Sequence, residues 1–275
     1  MSVPRSDSDE LQKDRTIGKV DLTRWKSTPG KALVGTAAKA SRRVGDRGAL
    51  ILILVVGGVI AVAGSFIASR IYDAVTESEG VAGLDQPILE LMISWRSPAL
   101  DSVVTAYTNV AGPIGMPILA VAAILILSLW RRSFTPAILI VAAGIGSLLM
   151  TVVGKDLIGR SRPPLVDAVP PYDLTASFPS GHTLNAVVIA GVVAYLLLLR
   201  RMTTGGRVIT IFVAALFAFT IGLSRVFLGH HWFTDVLAAW ALGAAWLAIV
   251  ITAHRLYITV RAARAGIAAA APASR

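Results

Sequence analysis

The feature that most constrains this chain is a series of long apolar stretches without charge. Ala49 to Ser69 runs 21 residues, enough for a helix to cross a hydrocarbon core of about 30 Å. Ser102 to Trp130 runs 29 residues and is interrupted by Gly112, Pro113, Gly115 and Pro117. The second span is therefore expected at Pro113–Trp130, with a shallow lead-in helix before it. Ser133–Gly154 is a third, and Thr183–Leu199, Val208–Ser224 and Val236–Ala253 supply three more. The last three are short, which suits helices whose outer ends emerge early into a polar site. The expected fold class is an all-α integral membrane protein with six transmembrane helices.

Composition supports that class. Hydrophobic residues make up 55% of the 275 and charged residues 15%, whereas a soluble domain carries about 25% charged residues on its surface. The same apolar content excludes a disordered chain. Length alone would suggest about two soluble domains of roughly 150 residues, and the hydropathy overrides it. With no cysteine there is no disulfide scaffold, thiolate catalysis or cysteine-bound metal. Residues 1–48 read as a basic, flexible cytoplasmic tail, 49–254 as one six-helix domain, and 255–275 as a cytoplasmic C-terminal tail.

The net charge of +10 would suit a nucleic-acid partner, but the placement of the cations argues topology instead. Lys- and Arg-rich loops stay in the cytoplasm. The segment before Ala49, the pair Arg131 and Arg132, the group Arg200, Arg201 and Arg207, and the group Arg255, Arg261 and Arg264 all fall on one side of a six-span arrangement. Both termini are then cytoplasmic. The loop after the first span is acidic, with Asp73, Glu77, Glu79, Asp85 and Glu90 against Arg96. No nucleic-acid partner is expected. The first apolar run is too long for a cleaved signal and reads as a retained helix.

Two outer connections break the charge rule. One holds Lys155, Arg160 and Arg162, then Pro179-Ser180-Gly181-His182; the other holds Arg225, His230, His231 and Asp235. Taken singly, each has an ordinary explanation. Lys155 could snorkel to the interface, Ser180 could cap a helix, and His231 and Asp235 at i, i+4 could be a helix-face pair. Arg160 and Asp156 keep that ordinary reading, because the cluster is complete without them. Together, at the outer ends of four helices, these cations invite an anionic ligand.

The chemistry follows from what a phosphate ester needs, which is mainly positioning and electrostatic stabilisation of its oxygens. Lys155, Arg162 and Arg225 can donate to those oxygens, the arginines with two-pronged contacts. The Ser180-Gly181 turn opens a helix, whose free N–H groups favour an anion, and Gly181 lets oxygen approach the backbone. One imidazole can attack phosphorus if a carboxylate fixes its tautomer, and Asp235, one turn after His231, is placed to do that. The second, His182, can protonate the leaving oxygen.

These residues resemble the three-part signature of the type 2 phosphatidic acid phosphatase and haloperoxidase superfamily. Lys-x6-Arg-Pro stands at Lys155 through Arg162-Pro163, Pro-Ser-Gly-His at Pro179–His182, and Ser-Arg-x5-His-x3-Asp at Ser224, Arg225, His231 and Asp235. The resemblance implies His231 as nucleophile, Asp235 as its partner and His182 as general acid. It implies phosphate contacts from Lys155, Arg162, Ser180, Gly181 and Arg225, and neither a metal nor another cofactor. His230 falls outside the required spacing and reads as an interfacial or supporting residue.

The implied function is a lipid phosphatase of a bacterial plasma membrane, its site facing away from the cytoplasm and its lipid substrate drawn from the bilayer. The reading leans to polyprenyl diphosphate, such as an undecaprenyl carrier. The alternative is phosphatidate or phosphatidylglycerophosphate, or transfer of the phosphoryl group to an alcohol at the same site. Soluble vanadate-dependent haloperoxidases share the signature but not six apolar spans. A structural or transport protein with a degenerate site would have lost a catalytic residue, and none is lost; a flippase-like role stays open.

Overall fold

The computed structural model describes residues 14–43, 81–200 and 202–264, with residues 11, 45, 54 and 57 besides. The span expected at Ala49–Ser69 lies outside the described residues apart from Leu54 and Gly57. From residue 81 onward, the α-helices among the described residues are α1 (Asp85–Ser94), α2 (Pro98–Asn109), α3 (Gly115–Arg131), α4 (Thr135–Ile158), α5 (Gly181–Leu198), α6 (Thr204–Phe227) and α7 (Phe233–Arg264). Single 3-10 turns lie at Val81–Leu84 and Leu165–Asp167.

Four helices, α4 to α7, are long and apolar enough to cross a membrane, and α3 is a shorter apolar helix of 17 residues. The lead-in expected before the second span is α2, which starts on a Ser97 cap accepting from the Leu100 N–H with Pro98 in the first turn, the position where a missing N–H costs nothing. α1, by contrast, was not foreseen in the acidic loop. Three of the last four spans run past their expected ends: α4 reaches Ile158, α6 reaches Phe227 and α7 reaches Arg264, while α5 stops at Leu198. The reason is that a charge ends an uncharged run without ending a helix. Lys155 and Arg225 occupy the last turns of α4 and α6, where a cation complements the helix dipole. The stop for α4 is instead Gly159, left-handed at φ 57°, the usual C-terminal signal.

α5 is the axis of the bundle. Leu184, Ala186, Val188, Val192 and Leu196 on it are fully buried, packed with Leu139, Ala143 and Met150 of α4, Ile221 of α6, and Ala239 and Val250 of α7. Close approach depends on small residues, as expected where lipid removes the hydrophobic drive between helices. A Cβ on Gly146 would lie 2.1 Å from the indole of Trp246, whose Nε1 donates to the Ala143 carbonyl at 3.2 Å. The outward face of α6 exposes Val208, Ile209, Phe212, Val213, Leu216 and Phe219, a continuous apolar surface of the kind that meets lipid.

Within residues 1–48, the strands Thr16–Ile17 and Val20–Asp21 pair as an antiparallel hairpin and residues 28–43 are helical. This segment docks on the far end of α7. Trp25 Nε1 donates to Thr259 Oγ1 at 3.0 Å, and the Arg255 guanidinium lies over the Trp25 ring at 4.3 Å while donating to the Leu22 carbonyl. Asp14 is buried against Arg131 at the end of α3. The antiparallel course of α4 to α7 leaves the C-terminal ends of α4 and α6 beside the N-terminal ends of α5 and α7, at the opposite end of the bundle.

Candidate active site

Those four helix ends carry every residue singled out by the sequence. His231 is 2% exposed and follows a tight turn at Gly229, which is left-handed at φ 70°. A Cβ there would lie 2.3 Å from the Asp167 carbonyl, so only glycine lets the α6–α7 turn press against the Leu165–Asp167 turn. The His231 ring is held between opposite charges. Its Nε2 lies 3.3 Å from Arg162 Nη1, and its Nδ1 lies 3.5 Å from Asp235 Oδ2 and 3.4 Å from Ser177 Oγ.

Asp235, in the first turn of α7, is wholly buried and saturated with donors. Its Oδ2 accepts from Ser177 Oγ at 2.5 Å and from the Trp232 N–H at 2.9 Å. Its Oδ1 accepts from Arg160 Nη1 at 2.5 Å. A carboxylate so placed favours the tautomer of His231 with the proton on Nδ1, leaving the Nε2 lone pair facing the cations.

Lys155, Arg162 and Arg225 approach from three elements. Lys155 Nζ donates to Thr175 Oγ1 and to the Ala176 carbonyl, both at 2.6 Å. Arg162 donates to the Thr175 and His230 carbonyls at 2.7 and 2.5 Å and to Asp173 Oδ2 at 2.7 Å. Arg225 is 3% exposed at the end of α6, and its Nε has no hydrogen-bond partner among the described residues. A buried, unpartnered guanidinium N–H is costly unless an anion completes it.

Ser180 and Gly181 open α5, with Gly181 against the Thr151 side chain. Ser180 is buried, but its hydroxyl accepts from Thr183 Oγ1 at 2.9 Å and does not cap the helix. The ordinary capping role is thus set aside, and the dipole at the start of α5 stays directed at the site. His182, in the first turn, has its Nε2 3.1 Å from the position of a Cβ on Gly112. The α2–α3 connection therefore borders this imidazole closely.

Burial and the facing cations fix the protonation of the loop groups. Burial, then Arg225 and Arg162, push His231 down to about 3 against the pull of Asp235. His230 is lowered to about 4, again by burial first and then Arg225. Its Nε2 lies 2.6 Å from the Val169 carbonyl, an anchoring contact that fits its reading as a supporting residue. Burial acts to raise Asp173, but hydrogen bonds from Thr175 and the charges of Arg162 and Lys155 prevail and bring it to about 2. The imidazoles of His230 and His231 are thereby held neutral near pH 7.

Sequence reasoning missed four participants. Arg160, read as an ordinary cation, spans two carboxylates, Asp235 and Asp85, the latter at 2.7 Å. Asp85, on α1, also accepts from the Thr234 N–H at 2.8 Å and Thr234 Oγ1 at 2.7 Å, and so caps α7. Ser177 and Asp173 hold Asp235 and Arg162. The burial of Asp85 beside its interface loop had no signature in the sequence, whereas Ser177, two residues before Pro179, was within reach of a reading that asked what holds Asp235.

Comparison with known proteins bears on this geometry. A family model described as the PAP2 superfamily matches residues 135–258. Phosphatidylglycerophosphatase B of Bacillus subtilis (strain 168) is 30% identical over 181 residues, covering 65% of this chain and 87% of that protein. The chain belongs to the PAP2 superfamily. A crystal structure described as the first transmembrane PAP2 type phosphatidylglycerolphosphate phosphatase from Bacillus subtilis matches with a TM-score of 0.61 at 27% identity, over 69% of this chain and 93% of that one. The structure of LpxE from Aquifex aeolicus matches with a TM-score of 0.48 at 22% identity, over 62% and 94%. The PAP2 match runs from α4 into α7 and contains every site residue drawn from the sequence; Asp85 lies outside it.

Proposed function

We propose that this PAP2 protein is a membrane phosphatase that removes the phosphate of a glycerolipid phosphate through a phosphohistidine on His231. The observation that carries the reading is the setting of that ring, with Nε2 beside Arg162 and Nδ1 beside Asp235. The Nε2 lone pair attacks phosphorus, the P–O bond to the lipid breaks, and His182 donates its proton to the departing alkoxide. Lys155, Arg162, Arg225 and the start of α5 hold the phosphoryl oxygens throughout. Water, giving a proton to His182, then attacks phosphorus and releases inorganic phosphate, with His231 as leaving group.

The substrate lean of the sequence reading gives way here. Polyprenyl diphosphate has no support in the comparisons, whereas a curated relative and a solved structure are both named for phosphatidylglycerophosphate. A glycerolipid phosphate of that kind is the preferred substrate. An apolar groove of 440 Å³ between α6 and α7 is lined by Phe212, Leu216, Phe219 and Trp240, the last of these five residues after Asp235 in α7, and offers a place for an acyl chain. The six-span arrangement, with cytoplasmic termini and the site at the outer face of a bacterial plasma membrane, is part of the same proposal.

The test is phosphate release by the detergent-purified protein without added metal. Phosphatidylglycerophosphate, phosphatidate and undecaprenyl diphosphate are supplied in parallel, with His231→Ala as the blank. Preference for phosphatidylglycerophosphate supports the reading. Preference for the diphosphate overturns the substrate, and no release above the blank from any of the three overturns the hydrolase.

A further inference from the structure

We infer that Arg160 and Asp85 are positioning residues of this site: their bridge fixes the carboxylate of Asp235, and through it the ring of His231. Arg160 sends Nη1 to Asp235 Oδ1 at 2.5 Å and Nη2 to Asp85 Oδ2 at 2.7 Å. Both carboxylates are buried, and the guanidinium is mostly so. A rigid planar fork that engages two carboxylates at once sets the angle between them, which a flexible ammonium cannot do. Asp85 is in turn locked to the first turn of α7 by Thr234, through both its N–H and its hydroxyl. The Trp232 ring lies over the same guanidinium at 5.7 Å, and its Nε1 donates to the Ser161 carbonyl at 2.9 Å.

The consequence is mechanical. Asp235 Oδ2 stands 3.5 Å from His231 Nδ1, at the limit where a hydrogen bond forms or fails. A displacement of Oδ2 by roughly a few tenths of an ångström decides whether Nδ1 keeps the proton and Nε2 keeps its lone pair toward phosphorus. Oδ2 is pinned locally by Ser177 and Trp232, and the rotation about that pin is set by the grip of Arg160 on Oδ1. Neither Arg160 nor Asp85 needs to touch substrate. Their loss therefore acts on turnover and not on phosphate binding.

The inference rests on the phosphatase reading, and its test separates the two. Arg160→Lys, Asp85→Asn and the double variant are compared with the wild-type protein for kcat, KM and inhibition by inorganic phosphate. Each single variant is expected to lower kcat about 10–100-fold, the range that losing a hydrogen bond to a charged group supports, with KM and phosphate inhibition within about twofold of wild type. The double variant is expected to lose no more than the worse single one, because the two residues act as a unit. Nitrogen NMR of the imidazoles, assigned with His231→Ala, supplies a readout independent of turnover. The His231 ring is expected to hold its proton on Nδ1 in the wild type and to exchange between tautomers in Arg160→Lys. Unchanged kcat, multiplying losses in the double variant, or KM rising as far as kcat falls would each overturn the positioning role. If the wild type releases no phosphate from any lipid, the phosphatase reading fails, and the ring spectra still decide whether the bridge holds His231; an unchanged tautomer in Arg160→Lys overturns it.

Discussion

Arg162 Nη1 and His231 Nε2 stand 3.3 Å apart, so in the proposed mechanism a phosphoryl group reaching the imidazole meets the guanidinium in the same step. On that reading, attraction and attack share one location, and His231 is the position where substitution should cost most. His231→Ala is expected to abolish phosphate release while the protein stays folded and membrane-inserted, checked by turnover and by size-exclusion profile in detergent. Wild-type-like release would remove His231 from the nucleophile's role.

His182→Ala should behave differently. Loss of one positioned general acid typically costs about 10²–10⁴-fold, and a leaving group that needs no proton bypasses most of that. Comparing a lipid phosphate with an aryl phosphate ester checks it: the deficit should shrink for the aryl ester, and an equal deficit on both would count against acid catalysis by His182.

Ser177→Ala removes the 2.5 Å hydrogen bond to Asp235 Oδ2. Hydrogen bonds to charged groups contribute about 1.5–3 kcal/mol, so both thermal stability and kcat should fall, the latter by about tenfold or more. Thermal unfolding in detergent alongside steady-state kinetics measures both; unchanged values would make the Ser177 contact incidental.

The histidines set an acid-side prediction. His231 is lowered from 6.5 to about 3 and His230 to about 4, so both rings are neutral in the folded protein at pH 5. In the unfolded chain they take up protons near pH 6.5. The stability they contribute is therefore complete above that pH and declines as pH falls toward 4 and then 3. Imidazole NMR at pH 5 to 7 should show two rings that do not titrate, assigned through His230→Ala and His231→Ala. A midpoint near 6.5 for either ring contradicts the burial described for it.

Packing gives a prediction far from the site. A Cβ on Gly146 would lie 2.1 Å from the Trp246 indole, and overpacking of this kind costs about 1–3 kcal/mol. Gly146→Ala should lower the unfolding temperature, and Gly146→Ala with Trp246→Leu should recover part of the loss. No change in the single variant would mean that α4 and α7 separate freely.

The clustering of the candidate residues was legible because they break a rule: cations and histidines gathered at one end of apolar spans have few ordinary reasons to be there. The helix boundaries were less so. Runs without charge ended at Gly154 and Ser224, but Lys155 and Arg225 close the helical turns that follow, and a side chain's charge does not interrupt the backbone ladder. Arg160 was passed over because spacing motifs identify residues that meet substrate, and a guanidinium that meets only carboxylates leaves no periodic trace. Asp85 looked like one acid among five in an outer loop; its partner lies 149 residues on, at Thr234, a distance across which local sequence carries no signal.

That separation has a practical corollary. The stretch of chain shared with the family, residues 135–258, holds every group assigned to the chemistry, yet the first turn of α7 draws its cap from α1. A shortened protein beginning at residue 135 would keep the imidazoles of His182 and His231 and forfeit the carboxylate that ties Arg160 and Thr234 together. Any minimal version, or any transplant of this site into another scaffold, has to reach back to include Asp85.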